Sequence, residues 1–158
     1  MGVETEKKFL VKEDLWHKLK KGEGTLYRQG YMLREADKTI RIRLIEGDKG
    51  YITIKGKAKG FSRPEYEYSI PEKDAEELLT NFCDAVVSKK RYKIKIDDHM
   101  WEVDEFLGDN EGLIVAELEL KDETEQFNLP EWIDREITGN PRYYNNELSV
   151  NPFKNWTP

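Results

Sequence analysis

Short segments in which charged and apolar residues alternate recur along most of the chain. Successive side chains of a β-strand point to opposite faces, so this alternation is typical of strands with one face against an apolar core. Eight strands are predicted, at residues 3–11, 25–33, 39–45, 51–56, 64–70, 86–96, 99–107 and 113–120. Glycine-containing turns at 46–50 and 108–112 join neighbouring strands, so an antiparallel sheet is expected.

Helices are predicted between these strands. The clearest one follows Pro71, and its apolar residues recur at the i, i+3, i+4 and i+7 spacing of one helix face: Ala75, Leu78, Leu79 and Phe82. A shorter helix is predicted over 12–21, and residues 130–133 are predicted to start a third. The predicted fold class is α+β, with a few helices packed outside the sheet.

The charged strand faces differ in sign from one strand to the next. Basic residues share a face with one another at Arg41, Arg43, Lys55, Lys89 and Arg91. Acidic residues do so at Glu4, Glu6, Glu65, Glu67, Glu102, Asp104, Glu117 and Glu119. A solubilising surface would mix the two signs. For any single strand, an ordinary sheet with one solvated face remains the alternative interpretation.

Eight strands are enough to close a barrel, and with helices outside, closure would turn the charged faces inward. Carboxylates gathered in a cavity favour a hard divalent cation such as Mg²⁺ or Mn²⁺. Clustered arginines and lysines favour a dense anion, and the planar guanidinium fork suits phosphate. If the sheet closes, the sequence predicts an eight-stranded closed antiparallel β-barrel whose interior is a tunnel suited to a metal–polyphosphate complex.

Composition disfavours several other classes of function. The net charge of −6 argues against nucleic acid and anionic membranes as partners. No apolar run approaches the roughly 20 residues of a membrane span. One cysteine and two histidines cannot build a zinc site of the usual kind. The start has neither a basic nor an apolar leader segment, which predicts a cytoplasmic protein, and the length predicts a single domain over residues 1–158.

Several motifs occur in a fixed order along the chain. The first is Glu4-Thr5-Glu6-Lys7-Lys8, an E-x-E-x-K pattern. It is followed by Arg28-Gln29-Gly30-Tyr31, Arg41-Ile42-Arg43, Thr53-Ile54-Lys55, Arg63-Pro64-Glu65-Tyr66-Glu67, Lys89-Lys90-Arg91-Tyr92, Trp101-Glu102-Val103-Asp104, Glu117-Leu118-Glu119 and, in the tail, Arg142-Tyr143-Tyr144-Asn145-Asn146. In these motifs and their order the chain resembles the CYTH, or triphosphate tunnel metalloenzyme, superfamily from about residue 3 to residue 148.

The resemblance implies roles for individual residues. It implies phosphate binding by Lys8, Arg41, Arg43, Lys55, Lys89 and Arg91. It implies that Mg²⁺ or Mn²⁺ is bound by Glu4, Glu6, Asp104, Glu117 and Glu119. Catalytic roles are implied for Lys8, for Tyr31 as a proton acceptor, and for Glu65 and Glu67 in ordering basic neighbours or orienting water. The tail is expected to close one side of the tunnel, and a homodimer is a further expectation.

The leading hypothesis is metal-dependent hydrolysis of inorganic tripolyphosphate or a nucleoside triphosphate, by in-line attack of water on the terminal phosphorus. A class IV adenylyl cyclase or a thiamine triphosphatase of the same superfamily stays open, because both would share the phosphate and metal apparatus. A non-catalytic sensor of polyphosphate or nucleotide is the alternative from another class. The full acidic set argues against it, since binding alone needs mainly basic groups. A structural β-domain is the last alternative.

Overall fold

The computed structural model describes residues 5–57 and 64–156, whose nine strands form one antiparallel sheet. The strands are β1 (Thr5–Val11), β2 (Thr25–Glu35), β3 (Lys38–Ile45), β4 (Gly50–Lys55), β5 (Glu65–Ile70), β6 (Val86–Ile96), β7 (His99–Phe106), β8 (Ile114–Leu120) and β9 (Ile133–Glu136). The α-helices in these ranges are α1 (Glu13–Lys18), α2 (Glu72–Phe82) and α3 (Asn145–Val150). The strand order is β5-β4-β3-β2-β6-β7-β8-β1-β9. The predicted α+β class is confirmed.

The eight predicted strands are present close to their predicted bounds, but the third predicted helix is wrong. Pro130 begins a single turn, in which the amide of Ile133 bonds the Pro130 carbonyl at 3.1 Å. The chain then becomes β9, which pairs with β1 through Val11 and Phe9. The free edge of β1 offers a ladder of hydrogen bonds there, which outweighs the weak helix signal of one proline.

The outer face of β3 packs under α2. Ala75 and Leu79 of the helix are buried against Ile42 and Leu44. Phe82, the last residue of α2, is 60% exposed, so the buried helix face is shorter than the sequence predicts. This packing holds the opposite face of β3, with its arginines, toward the interior of the curved sheet.

A second apolar cluster covers the outer face of the other half of the sheet. Trp16 of α1 lies against Trp132, with ring centroids 5.4 Å apart, and Trp132 in turn contacts Trp101 of β7. Trp16 and Trp101 are both fully buried. The two clusters together leave the charged strand faces on the concave side.

The concave face is apolar at one end, which the sequence analysis did not anticipate. Three residues there share strand faces with charged site residues but are themselves apolar: Val87, Phe106 and Val115; Leu113, just before β8, packs with them. The C-terminal segment packs on them through Ile137, Tyr143 and Leu148. The tail therefore covers this end of the concave face with an apolar seal.

Strands β5 and β9 end the sheet, and within 5–57 and 64–156 no hydrogen-bonded pairing joins them. Closure of the barrel stays a prediction, as does the single domain over residues 1–158. The curvature is nevertheless strong, because Lys8 of β1 and Lys55 of β4 line the same cavity. Across the described chain, no helix is long and apolar enough to cross a membrane.

Candidate active site

A cavity of about 380 Å³, here called the basic cavity, lies in the concave face. Its cations are Lys8, Arg41, Arg43, Lys55 and Arg91. Its acids, among the described residues, are Glu6, Glu102 and Glu117. The neutral part of the wall consists of Tyr31, Thr39, Thr53, Tyr144, Asn145 and Asn146. Cations outnumber acids, so the cavity favours a polyanion.

Arg43 is held in place by β2. Its Nε donates a hydrogen bond to Oε1 of Gln29 at 2.9 Å, and its guanidinium lies 5.5 Å from the ring centroid of Tyr27. Burial, reinforced by Arg41 and Arg91, lowers the pKa of Arg43 to about 10. Arg43 is therefore still charged at neutral pH, in a setting where an added anion would be stabilising.

Two buried donors in and beside this wall have no hydrogen-bond partner among the described residues. They are Nε of Arg41 and Nε2 of Gln29. The orientation of the Gln29 amide is fixed by Arg43, because an arginine can only donate and must face the amide oxygen. An unsatisfied buried donor costs about 1–3 kcal/mol. The pair of donors therefore indicates a ligand rich in acceptor oxygens.

Asp104 lies between two cations of β6. It accepts hydrogen bonds from Nε and Nη2 of Arg91 at 2.8 and 2.9 Å, and its Oδ2 is 2.8 Å from Nζ of Lys89. Burial alone would raise the pKa of Asp104, but Lys89 and Arg91 together hold it well below its ordinary value. The metal-ligand role predicted for Asp104 stays a prediction, and in this structure both of its oxygens are occupied by cations.

Lys89 lies outside the lining of the basic cavity. Its side chain is fully buried, and Nζ also donates to Oδ1 of Asn145 at 3.2 Å. Burial lowers the pKa of Lys89 to about 8, although the Asp104 carboxylate opposes that shift. Its predicted contact with phosphate stays a prediction; the observed contacts are those of a residue that links β6 and β7 to α3.

Two predicted metal ligands, Glu6 and Glu117, lie together on the acidic side of the basic cavity. Nζ of Lys8 is 3.8 Å from Glu6 and 3.5 Å from Glu117. Partial burial raises the pKa of Glu6, and the nearby Glu117 raises it further. Two carboxylates that repel each other when both are ionised provide a suitable site for a hard divalent ion, which prefers oxygen ligands.

The remaining predicted metal ligands lie elsewhere. Glu119 lines a second cavity next to the first, and Glu4 lies outside the described residues. In ranges 5–57 and 64–156, no three His, Cys, Asp or Glu side chains are arranged as a metal site. The donor chemistry of Glu6 and Glu117 thus fits a divalent ion, whereas a complete ligand set stays a prediction.

The predicted catalytic residues divide into two groups. Lys8 and Tyr31 line the basic cavity. Glu65 and Glu67 lie on the exposed end strand β5 and outside that lining, although Glu67 accepts a hydrogen bond from Oγ1 of Thr53 at 3.1 Å. The structure therefore connects Glu67 to the cavity through Thr53 and gives Glu65 no such contact among the described interactions.

Sequence reasoning missed several residues of this site. Gln29 shares a strand face with Tyr27 and Tyr31, so alternation along β2 was the signal that could have found it. Asn145 was recognised as part of the tail motif but was given no role, because no spacing rule points its side chain to the site. Glu102 was recognised as part of an acidic face but was given no role, although it lines both cavities.

Comparison with known proteins agrees with this geometry. A family model described as the CYTH domain matches residues 3–149. The chain is 52% identical to a protein of Acetivibrio thermocellus named inorganic triphosphatase, over 99% of each chain. It is also similar to the crystal structure of the inorganic triphosphatase NE1496, with a TM-score of 0.72, 30% identity and coverage of 95% and 96% of the two chains. A putative adenylate cyclase from Bacillus halodurans shares the fold, with a TM-score of 0.57 and 17% identity over 77% and 82% of the chains.

Proposed function

The chain belongs to the CYTH domain family, and from this premise we propose that it is a metal-dependent hydrolase of triphosphates, with inorganic tripolyphosphate as its main substrate. Two relatives named inorganic triphosphatases support this substrate, at 52% and 30% identity over nearly whole chains. The reaction releases phosphate from the end of the chain, with water as the nucleophile and pyrophosphate as the second product.

One observation carries the proposal. Nε of Arg41 is buried and has no acceptor among the described residues, in the wall of a cavity with five cations. A phosphate oxygen would satisfy this donor and neutralise part of the clustered positive charge. A nucleic-acid backbone or a long acidic peptide would need an extended basic surface, whereas these five cations line one concave cavity of about 380 Å³.

The proposed binding residues act from several strands at once. Arg41 and Arg43 of β3 and Lys55 of β4 contact the phosphates from one side, and Lys8 and Arg91 from the other. Fixing the chain on both sides aligns the terminal phosphorus for in-line attack. Lys89 is proposed to act through Arg91 and Asp104, by keeping their charges in place.

The proposed metal residues are Glu6 and Glu117, completed by Glu4 and Glu119. Mg²⁺ or Mn²⁺ bound there would neutralise charge that develops on the phosphate oxygens. The raised pKa of Glu6 beside Glu117 supports this placement, because a bound cation would relieve the repulsion between the two carboxylates.

Proton transfer is proposed to involve Tyr31, whose side chain lines the basic cavity. Glu67 is proposed to order Thr53, which accepts a hydrogen bond from Arg41 at 3.4 Å while donating to Glu67 at 3.1 Å. This relay would orient the guanidinium without a direct contact between the acid and substrate. Glu65 would act on the water or on Lys55, its partner in the β4–β5 register.

Closure of the sheet into a tunnel is part of the proposal, and the shared cavity of Lys8 and Lys55 supports it. We also propose a cytoplasmic location. The argument is the single cysteine, Cys83, which is free, because secreted domains commonly use disulfides. A homodimer stays a prediction from the resemblance alone.

The decisive experiment incubates the purified protein with tripolyphosphate, ATP or thiamine triphosphate, with Mg²⁺, Mn²⁺ or a chelator, and identifies every product. We expect phosphate and pyrophosphate from tripolyphosphate, lost with chelator and in Arg41→Ala and Glu6→Gln. Arg28→Ala is the matched control, since Arg28 pairs with Glu76 of α2 on the outer face of the sheet. Cyclic AMP from ATP, or tight binding without turnover, would contradict the proposal.

A further inference from the structure

The basic cavity adjoins a second cavity of about 690 Å³, here called the acidic cavity. The two cavities share three lining residues, Glu6, Glu102 and Glu117. These three are also the acids of the basic cavity among the described residues. A row of carboxylates therefore lies at the boundary between the two cavities.

Beyond this boundary the charge is reversed. The acidic cavity adds three further carboxylates, those of Asp98, Glu119 and Glu125. Opposing them are two lysines, Lys93 and Lys121. A divalent ion held by Glu6 and Glu117 would cancel two negative charges and still leave the acidic cavity negative. An anion that extends out of the basic cavity on this side would meet like charge.

Glu102 occupies the boundary itself. Its Oε2 accepts a hydrogen bond from Nη1 of Arg91 at 3.2 Å, which ties it to a cation of the basic cavity. Its neighbours in the strand register are Glu117 on β8 and Lys93 on β6. Its side chain is 34% exposed, so the carboxylate is accessible to an anion that approaches from solvent, and water screens part of its charge until the anion displaces that water.

We propose that Glu102 is a specificity-determining residue that limits the length of the phosphate chain this site accepts. The inference rests on the proposed function and deepens it, by naming short linear polyphosphates as the substrate class. The five cations that line the basic cavity favour a tripolyphosphate there. A fourth or fifth phosphate on this side would lie beside Glu102, and each added charge would repel the carboxylate, by an amount that grows as water is excluded.

The test compares kcat/KM for tripolyphosphate with kcat/KM for tetrapolyphosphate and pentapolyphosphate. In the unmodified protein we expect the longer chains to be about tenfold poorer substrates or worse. In Glu102→Gln, the ratio of longer to shorter substrate should rise about tenfold. In Glu102→Asp, which keeps the charge, the ratio should stay near its original value. The control is Glu111→Gln, the same charge change at an exposed turn residue that lines neither cavity.

A ratio that does not change in Glu102→Gln would overturn the inference, as would an equal rise in Glu111→Gln. Unmodified protein that hydrolyses pentapolyphosphate as well as tripolyphosphate would overturn it too, whatever the variants do. Absence of any hydrolysis would instead contradict the proposed function. In that case, calorimetry on the same variants would measure the dissociation constants of the same three anions. We expect tripolyphosphate to bind more tightly than the longer chains, and Glu102→Gln to reduce that difference.

Discussion

The side-chain oxygen of Gln29 on β2 accepts a hydrogen bond from Nε of Arg43 on β3, at 2.9 Å, between two residues that are direct partners in the strand register. Gln29 is fully buried, while Arg43 lines the basic cavity. A neutral amide thus orients a charged guanidinium at the cavity wall. The amide nitrogen of Gln29, Nε2, has no acceptor among the described residues and is available to a ligand or to a water molecule that the ligand orders.

Replacing Gln29 with leucine keeps the side-chain volume similar and removes the acceptor. A hydrogen bond to a charged group contributes about 1.5–3 kcal/mol, so kcat/KM for tripolyphosphate should fall at least tenfold. The measurement is steady-state kinetics together with a thermal melt. The control is Gln126→Leu, at an exposed loop position. Unchanged kcat/KM in a folded Gln29→Leu protein would show that Arg43 needs no such partner.

Replacing Asp104 with asparagine should destabilise the fold. Asp104 is buried and pairs with both Lys89 and Arg91, so the change removes the counter-charge of the buried Lys89 and leaves Arg91 with Glu102 alone. Removing one partner from a buried ion pair costs about 3–5 kcal/mol. Urea denaturation measures the difference in the free energy of unfolding. Asp109→Asn, on an exposed turn with one surface ion pair to Lys154, is the control and should change stability by less than about 1 kcal/mol.

Asp104 should also make the free energy of unfolding depend on pH. Its pKa in the folded protein is depressed, whereas in the unfolded chain it lies near 3.9. Its contribution to stability is therefore fully present above about pH 5 and is lost as the pH falls below roughly 3.9 toward the lower folded value. The stability gap between unmodified protein and Asp104→Asn should narrow in acid. A gap of constant size from about pH 7 to about pH 3 would contradict this assignment.

Strand alternation predicted most of the site because β-structure relates sequence position to direction. Once Ile40 and Ile42 are assigned to the core, Arg41 and Arg43 must point the other way, and the structure places both in the basic cavity. The same rule leads from Tyr31 to Gln29. What alternation does not give is the position along the tunnel, so the apolar end of the concave face was missed although Val115 and Glu117 share a face.

The remaining errors concern segments without periodicity. Strand β9 is short, and its identity depends on the free edge of β1, which is more than a hundred residues away in the chain. Asn145 reaches Lys89 only because Leu148 and Tyr143 anchor the tail in the apolar end of the sheet. Such contacts depend on tertiary packing, which the periodicity of the local sequence does not reveal.

A substitution at Gly50 tests how closely α2 packs on the sheet whose strand β3 carries Arg41 and Arg43. A Cβ at Gly50 would overlap the Cβ of Ala75 on α2, and the helix and sheet would have to separate. Gly50→Ala should therefore lower the free energy of unfolding by about 1–3 kcal/mol, as overpacking does. At Gly22, where a Cβ meets nothing within 4 Å, the same substitution should be neutral or slightly stabilising. Equal effects at the two positions, measured by urea denaturation, would contradict the close approach of α2 to β4.

The contact between Asn145 and Lys89 makes the C-terminal segment part of the site. Oδ1 of Asn145 accepts from Nζ at 3.2 Å, and Asn145 also lines the basic cavity. In Asn145→Ala the Lys89 ammonium has Asp104 as its remaining partner. Lys89 then competes with Arg91 for the Asp104 carboxylate. We expect kcat/KM for tripolyphosphate to fall about tenfold, equivalent to about 1.4 kcal/mol, and Tm to fall by about 2–4 °C because the buried ammonium loses an acceptor.

Asn145→Asp separates an electrostatic role from a packing role. The aspartate keeps an acceptor for Lys89 and adds attraction, so the fold should be at least as stable as in Asn145→Ala. It also places a negative charge in the wall of an anion site, so KM for tripolyphosphate should rise further. Thermal melts and steady-state kinetics on both variants give the comparison, and Asn128→Ala at an exposed position is the control. If Asn145→Asp lowered KM below that of Asn145→Ala, the basic cavity would not be where the phosphates bind.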